Sequence, residues 1–165
     1  MKATDFVRMS MEASRGWVFG LLEDMREAPL TQPTAAGGNH PLWVLGHLTY
    51  SESHLLDTLI CGRDNRFPEL ESLFKNGTTP TADPSAYPTM DELMEKFATI
   101  RVASLAHLDT LTDDDLDRRS HAPEEAGPFF STVGACYSAM ALHITFHGGL
   151  VADARRAAGK QPLMA

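Results

Sequence analysis

The spacing of apolar residues constrains this fold most, because they recur every three or four positions along four segments. That interval places the apolar side chains of each segment on one face of an α-helix. The first segment runs from Val7 to Met25, and the fourth begins at Ser131 or Thr132 and continues to about Ala158. No run of five alternating β-branched or aromatic residues predicts a strand. The sequence therefore predicts an all-α protein.

Capping residues indicate where the two middle helices begin and end. Residues 39–41, Asn-His-Pro, are typical of a helix start, and Gly62 ends that second segment. Thr89 and Glu92 form a capping box that opens the third segment. The proline-rich connection over residues 61–88 is long enough to cross the molecule, so the second and third helices are expected to run parallel. The predicted topology is an up-down-down-up four-helix bundle with this long connection between helices 2 and 3.

Length and composition indicate a single domain over residues 1–165. Hydrophobic residues make up 43% and charged residues 22% of the chain, which is ordinary for a globular protein and excludes disorder. No stretch approaches the roughly 20 apolar residues that a membrane span needs. Charged residues such as Asp5 and Arg8 interrupt the region where a signal peptide requires an apolar run. We therefore expect a cytoplasmic protein, with Cys61 and Cys136 as reduced thiols.

The net charge limits the partners of the chain. Its 14 basic and 22 acidic residues give a formal charge of −8. Nucleic acids and anionic lipids bind clustered Lys and Arg, so neither nucleic acid nor membrane is an expected partner. Phe6, Trp17 and Phe19 give the first helix more large apolar surface than one buried face requires, which favours a homodimer.

Three of the seven histidines fall on predicted buried faces. His143 and His147 are four residues apart on one face of the fourth helix, a spacing that allows one metal ion to bind both. His47 lies between Val44 and Leu48 on the buried side of the second helix. A single histidine on an apolar face is more often a hydrogen-bonded core residue. Burying two neighbouring imidazoles without a ligand costs several kcal/mol, however, which favours a metal site between helices.

Four further residues are candidates for a pocket or for support of the metal ligands. His54 follows His47 by seven residues, two helical turns or about 10 Å, so it cannot bind the same ion and is expected to line a pocket. Tyr50, Glu52 and Tyr137 are candidate proton donors or partners of the ligands. A solvated or packing role is the alternative for each of these three.

The segments that carry the histidines also resemble a known family. Residues 43–48, WVLGHL, together with residues 143–149, HITFHGG, resemble the DinB/YfiT-like superfamily, and the resemblance extends over nearly the whole chain. It implies a four-helix bundle that holds one divalent metal ion on His47, His143 and His147. Histidine ligands suit Zn, Ni, Fe or Mn, and the sequence does not choose among them.

The resemblance also implies a metal-dependent enzyme acting on a small molecule. Members with known activity include transferases that use a low-molecular-weight thiol and a related isomerase of maleylpyruvate, and many others are described only as metal-dependent hydrolases. Many members carry an Arg-Gly-Gln-like run after the last histidine, where this chain has Gly148-Gly149-Leu150. That difference favours a second hypothesis, a non-catalytic metal- or small-ligand-binding protein with a stress-related role. A structural bundle with core histidines is the third, and no catalytic residue is assigned.

Overall fold

The regular structure is helical throughout the computed structural model, which describes residues 1–35 and 38–163. Within those residues the only strand-like pairing is one isolated bridge between Arg119 and Thr132. The all-α prediction is therefore confirmed. The helices are α1 (Ala3–Asp24), α2 (Pro41–Ser53), the short α3 (Glu71–Phe74), α4 (Met90–Leu108) and α5 (Val133–Ala157). Single 3₁₀ turns lie at Pro68–Leu70, Pro84–Ala86, Asp114–Asp117, Glu124–Ala126 and Pro128–Phe130.

The predicted helix starts are formed by the expected side chains. The Thr89 hydroxyl accepts a hydrogen bond from the Glu92 amide at 3.3 Å, and the Glu92 carboxylate accepts one from the Thr89 amide at 2.7 Å. His40 Nδ1 accepts from the Trp43 amide at the start of α2, and Thr132 caps α5. These bonds satisfy amide groups that the first turn of a helix leaves without partners.

The second helix differs from the prediction in its last turns. Residues His54–Ile60 form a π-helix, in which the Cys61 amide donates to the Leu56 carbonyl, five residues back. Asp57 in this segment is buried and accepts hydrogen bonds from Arg63 and Arg66 in the following loop. The wider turn of the π-helix therefore occurs together with contacts between Asp57 and the following loop. The periodicity of apolar residues in the sequence does not predict such contacts.

Close packing joins α1 to α5. A Cβ atom at Gly148 would lie 2.6 Å from Val18 Cγ2, so glycine at this position lets the two helices approach. Near the end of both helices, Arg155 donates to the carboxylate of Asp24 at 2.7 Å. The first position of the Gly148-Gly149-Leu150 run thus has a packing role.

The aromatic residues of α1 do not all contribute exposed surface. Phe19 is 6% exposed, and its ring centroid lies 4.3 Å from that of Phe97 in α4. The expectation that Phe19 adds apolar surface for a partner is therefore wrong. Phe6 and Trp17 remain more than half exposed.

The core lies between the long helices and includes the contacts of α2 with α4. Thr49 donates to the Leu93 carbonyl at 3.5 Å. About one turn further along α2 and two turns further along α4, Glu52 pairs with Arg101. No helix in the described part of the chain combines the length and apolar character that a membrane crossing requires.

Candidate metal centre

The three histidines predicted to bind a metal lie together in the structure. His47 comes from α2, and His143 and His147 come from α5, one turn apart. One ring nitrogen of each lies within 4.8 Å of the others, and the Nε2 atoms of His47 and His143 are 3.0 Å apart. His47 and His147 are buried and His143 is half-buried. The packing of α2 against α5 thus forms a compact histidine cluster.

The cluster fits one divalent ion. Metal–nitrogen bonds of about 2.1 Å allow two ligands of one ion to be at most about 4.2 Å apart, so the rings need only a small adjustment. His147 Nδ1 is buried without a hydrogen-bond partner among the described residues. An unsatisfied buried polar atom costs about 1–3 kcal/mol, and a bound metal ion is one way in which such a site can be satisfied. Two observations therefore agree with a metal site: three imidazole nitrogens lie close together, and a buried nitrogen of His147 lacks a hydrogen-bond partner in the described part of the chain.

A main-chain acceptor orients His47. Its Nδ1 lies 2.6 Å from the carbonyl oxygen of Phe74, and because a carbonyl only accepts, Nδ1 carries the proton. The lone pair of His47 is then on Nε2, the atom that faces His143. Metal-binding histidines are commonly held by such a bond from their other nitrogen. The ring of Trp43 stacks on that of His47, with centroids 4.6 Å apart.

Glycine at position 46 allows Phe74 to occupy this place. A Cβ atom at Gly46 would lie 2.2 Å from the ring of the fully buried Phe74, so Gly46→Ala must displace Phe74. We expect this variant to bind metal about 10- to 100-fold more weakly, since His47 loses its orienting carbonyl. Competition with a chromophoric chelator measures the affinity. Gly20→Ala is the matched control, because a Cβ atom at Gly20 meets nothing within 4 Å. Wild-type affinity in Gly46→Ala would contradict the assignment.

Burial keeps the three imidazoles neutral. Desolvation lowers the pKa of His47, and desolvation together with the neighbouring rings lowers the pKa of His143 to about 3 and that of His147 to about 4. Histidine must be deprotonated to bind a metal. The cluster is therefore in its metal-binding protonation state at neutral pH.

These lowered pKa values make the metal-free protein sensitive to acid. Below about pH 6.5 these histidines bind protons in the unfolded chain but stay neutral in the folded protein, because their folded-state pKa values are lower. The free energy of unfolding therefore falls as the pH falls toward the folded-state pKa values. We expect His143→Gln to lose less stability than the wild type between pH 7.5 and 5.0, by about 1–2 kcal/mol. Urea denaturation with chelator present measures it at the two pH values. Equal losses in the two proteins would show that His143 is not buried as described.

A cavity of about 670 Å³ lies beside the cluster and shares His143 with it. Tyr50 and His54 lie in its wall, with their rings stacked at a centroid distance of 6.3 Å. The remaining wall comes mainly from apolar side chains of α5, of the π-helix and of residues 123–130. A space of this size is typical of small-molecule sites. His143 therefore connects a candidate metal centre to a candidate substrate site.

Glu52 and Tyr137 do not line this cavity. Arg101 donates two hydrogen bonds to the Glu52 carboxylate, at 2.6 and 2.8 Å, and both side chains are under 5% exposed. The Tyr137 hydroxyl donates to the Ser104 carbonyl at 3.0 Å, and burial raises the pKa of Tyr137. Of the roles that the sequence left open, packing is the one that agrees with these contacts.

The comparison with protein families agrees with the geometry of the site. A family model described as the DinB superfamily matches residues 10–151, which include all three histidines. A search of curated proteins found no match.

Proposed function

Because the chain belongs to the DinB superfamily, we propose that its histidine cluster is the metal centre of an enzyme that acts on a small molecule. The observation that carries this proposal is that His143 belongs both to the cluster and to the cavity wall. Structural zinc sites are usually closed by four protein ligands, whereas catalytic sites keep a position open. Three histidines beside a cavity support the catalytic kind.

His47, His143 and His147 would hold one divalent ion, either Zn, Ni, Fe or Mn, and its chemistry there is to activate a thiol or a water. Around that position, the Phe74 carbonyl holds the proton of His47 on Nδ1. The apolar wall of the cavity would remove the apolar part of a bound substrate from water. We propose either a transferase that uses a low-molecular-weight thiol or a hydrolase.

A second candidate is a non-catalytic metal- or small-ligand-binding protein with a stress-related role. It is favoured by Gly148-Gly149-Leu150, which places no polar side chain after His147. Gly148 packs on Val18 and a Cβ atom at Gly149 would meet nothing within 4 Å, so neither position contributes a group to the site.

Turnover distinguishes the two candidates. Low-molecular-weight thiols should be assayed with electrophilic acceptors, and simple esters and amides for hydrolysis, using metal-loaded and chelator-treated protein. Turnover that is lost with the metal and restored by it supports the enzyme. Stoichiometric metal binding without turnover of any compound supports the binding protein.

We further propose one domain over residues 1–165, folded as an up-down-down-up four-helix bundle. The order of the contacts Thr49 with Leu93 and Glu52 with Arg101 supports a parallel arrangement of α2 and α4.

The charge of −8 supports a protein that binds neither nucleic acid nor membrane, and its location is proposed to be cytoplasmic. Exposed Phe6 and Trp17 on α1 support a homodimer.

A further inference from the structure

The cavity beside His143 exposes an unusual amount of apolar side chain. Phe129, Leu142 and Phe146 all line it, and they are 52%, 54% and 74% exposed. Large apolar side chains that share one concave surface are stabilised by an apolar ligand that removes them from water. At about 670 Å³ the cavity holds a molecule much larger than a two- or three-carbon fragment.

The charge of the wall selects among apolar ligands. Lys75 is its single charged side chain within the described part of the chain, and no carboxylate lines it there. The Lys75 ammonium lies 3.3 Å from Glu71, but both side chains are more than half exposed. Exposed pairs of this kind contribute little free energy, so a ligand carboxylate can compete with Glu71 for the Lys75 ammonium. The amide of Asn76, beside Lys75 in the wall, offers a further hydrogen-bond donor.

We infer that the cavity binds organic anions with a large apolar body, and that such molecules are the substrate class of this site. The second half of this inference rests on the enzyme proposed above. The apolar body is held by Phe129, Leu142 and Phe146, and the anionic group by Lys75.

Three probes with the same alkyl chain test the inference: decanoate, decanol and decylammonium. Calorimetric titration of the full-length, chelator-treated protein at pH 7.5 keeps a metal from binding the carboxylate directly. We expect decanoate to bind about two- to fivefold more tightly than decanol, and decylammonium to bind most weakly. Absence of decanoate binding at 1 mM or equal affinity for the three probes would overturn the inference.

Two variants locate the bound probe. Phe146→Gln should weaken all three probes by about fivefold or more, whereas Lys75→Gln should remove only the preference for decanoate over decanol. Val102→Gln is the matched control, because Val102 is 69% exposed on α4 and does not line the cavity. Equal affinities in Phe146→Gln and Val102→Gln would place the probe elsewhere and overturn the inference.

Other outcomes separate this inference from the proposed enzyme. Turnover by metal-loaded protein without decanoate binding would overturn this inference alone. Decanoate binding by a protein that takes up no metal would support the ligand class of the cavity and overturn the enzyme. If no probe binds and Phe146→Gln converts a dimer to a monomer in light scattering, a second copy covers the cavity and the inference is wrong.

Discussion

Replacing His147 with Ala should reduce bound metal from about one ion per chain to almost none, and should abolish any metal-dependent activity. Removal of one of three ligands leaves His47 and His143, a pair that holds a divalent ion much more weakly. Even the loss of a residue that only orients a ligand costs about 10- to 100-fold in affinity, so loss of a ligand should exceed that. Elemental analysis after dialysis against a weak chelator measures the occupancy.

His54→Ala is the matched control for this prediction. His54 lines the cavity but is not part of the histidine cluster, so the variant should retain wild-type metal. Thermal melts with and without metal separate ligand loss from a packing defect, because metal should raise the melting temperature of the control but not of His147→Ala. Wild-type occupancy in His147→Ala, or equal loss in both variants, would contradict the assignment of the ligands.

Glu52→Gln should lower the free energy of unfolding by about 3–5 kcal/mol. Glu52 and Arg101 are 3% and 4% exposed and joined by two hydrogen bonds, while Arg101 also donates to the carbonyl of Met11 in α1. Removing the negative charge leaves a buried guanidinium without its counter-ion at the contact of three helices. Urea denaturation of metal-free protein at pH 7.5 measures the loss.

An exposed ion pair provides the comparison for Glu52. Arg119 and Glu124 lie 2.9 Å apart but are 72% and 83% exposed, so Glu124→Gln should change the free energy of unfolding by less than about 0.5 kcal/mol. A similarly small change in Glu52→Gln would show that the pair does not stabilise the packing. Glu52 would then be available again as a candidate proton donor.

The parts of the fold and site that depend on local spacing could be predicted from the sequence. Helical periodicity and caps such as Thr89 are properties of neighbouring residues. The juxtaposition of His143 and His147 also follows from their separation by one turn. His47 could be added because it lies on the buried face of its helix, and helix bundles commonly build metal sites from facing helices. The resemblance to a family implied the same three residues.

The remaining features depend on contacts between distant segments. The Phe74 carbonyl that orients His47 is a main-chain atom 27 residues away, which no side-chain pattern marks. The sequence feature connected with this contact is Gly46, because the absence of a Cβ atom there leaves space for the Phe74 ring. Glu52 and Arg101 are 49 residues apart, so the sequence does not reveal that they form a pair. From the sequence alone, the packing role of Glu52 could therefore not be distinguished from that of a proton donor near His47. The π-helix His54–Ile60 likewise accompanies contacts with the loop that follows it.

Elemental analysis of protein purified without an affinity tag tests the central claim most directly, because a histidine tag would itself bind metal. We predict about one equivalent of Zn, Ni, Mn or Fe per chain, removed by chelator and restored from the matching salt. Protein that contains no metal as purified, and takes up none of Zn²⁺, Ni²⁺, Mn²⁺ or Fe²⁺, would contradict the claim. His47, His143 and His147 would then be core residues, and the proposed enzyme would be wrong.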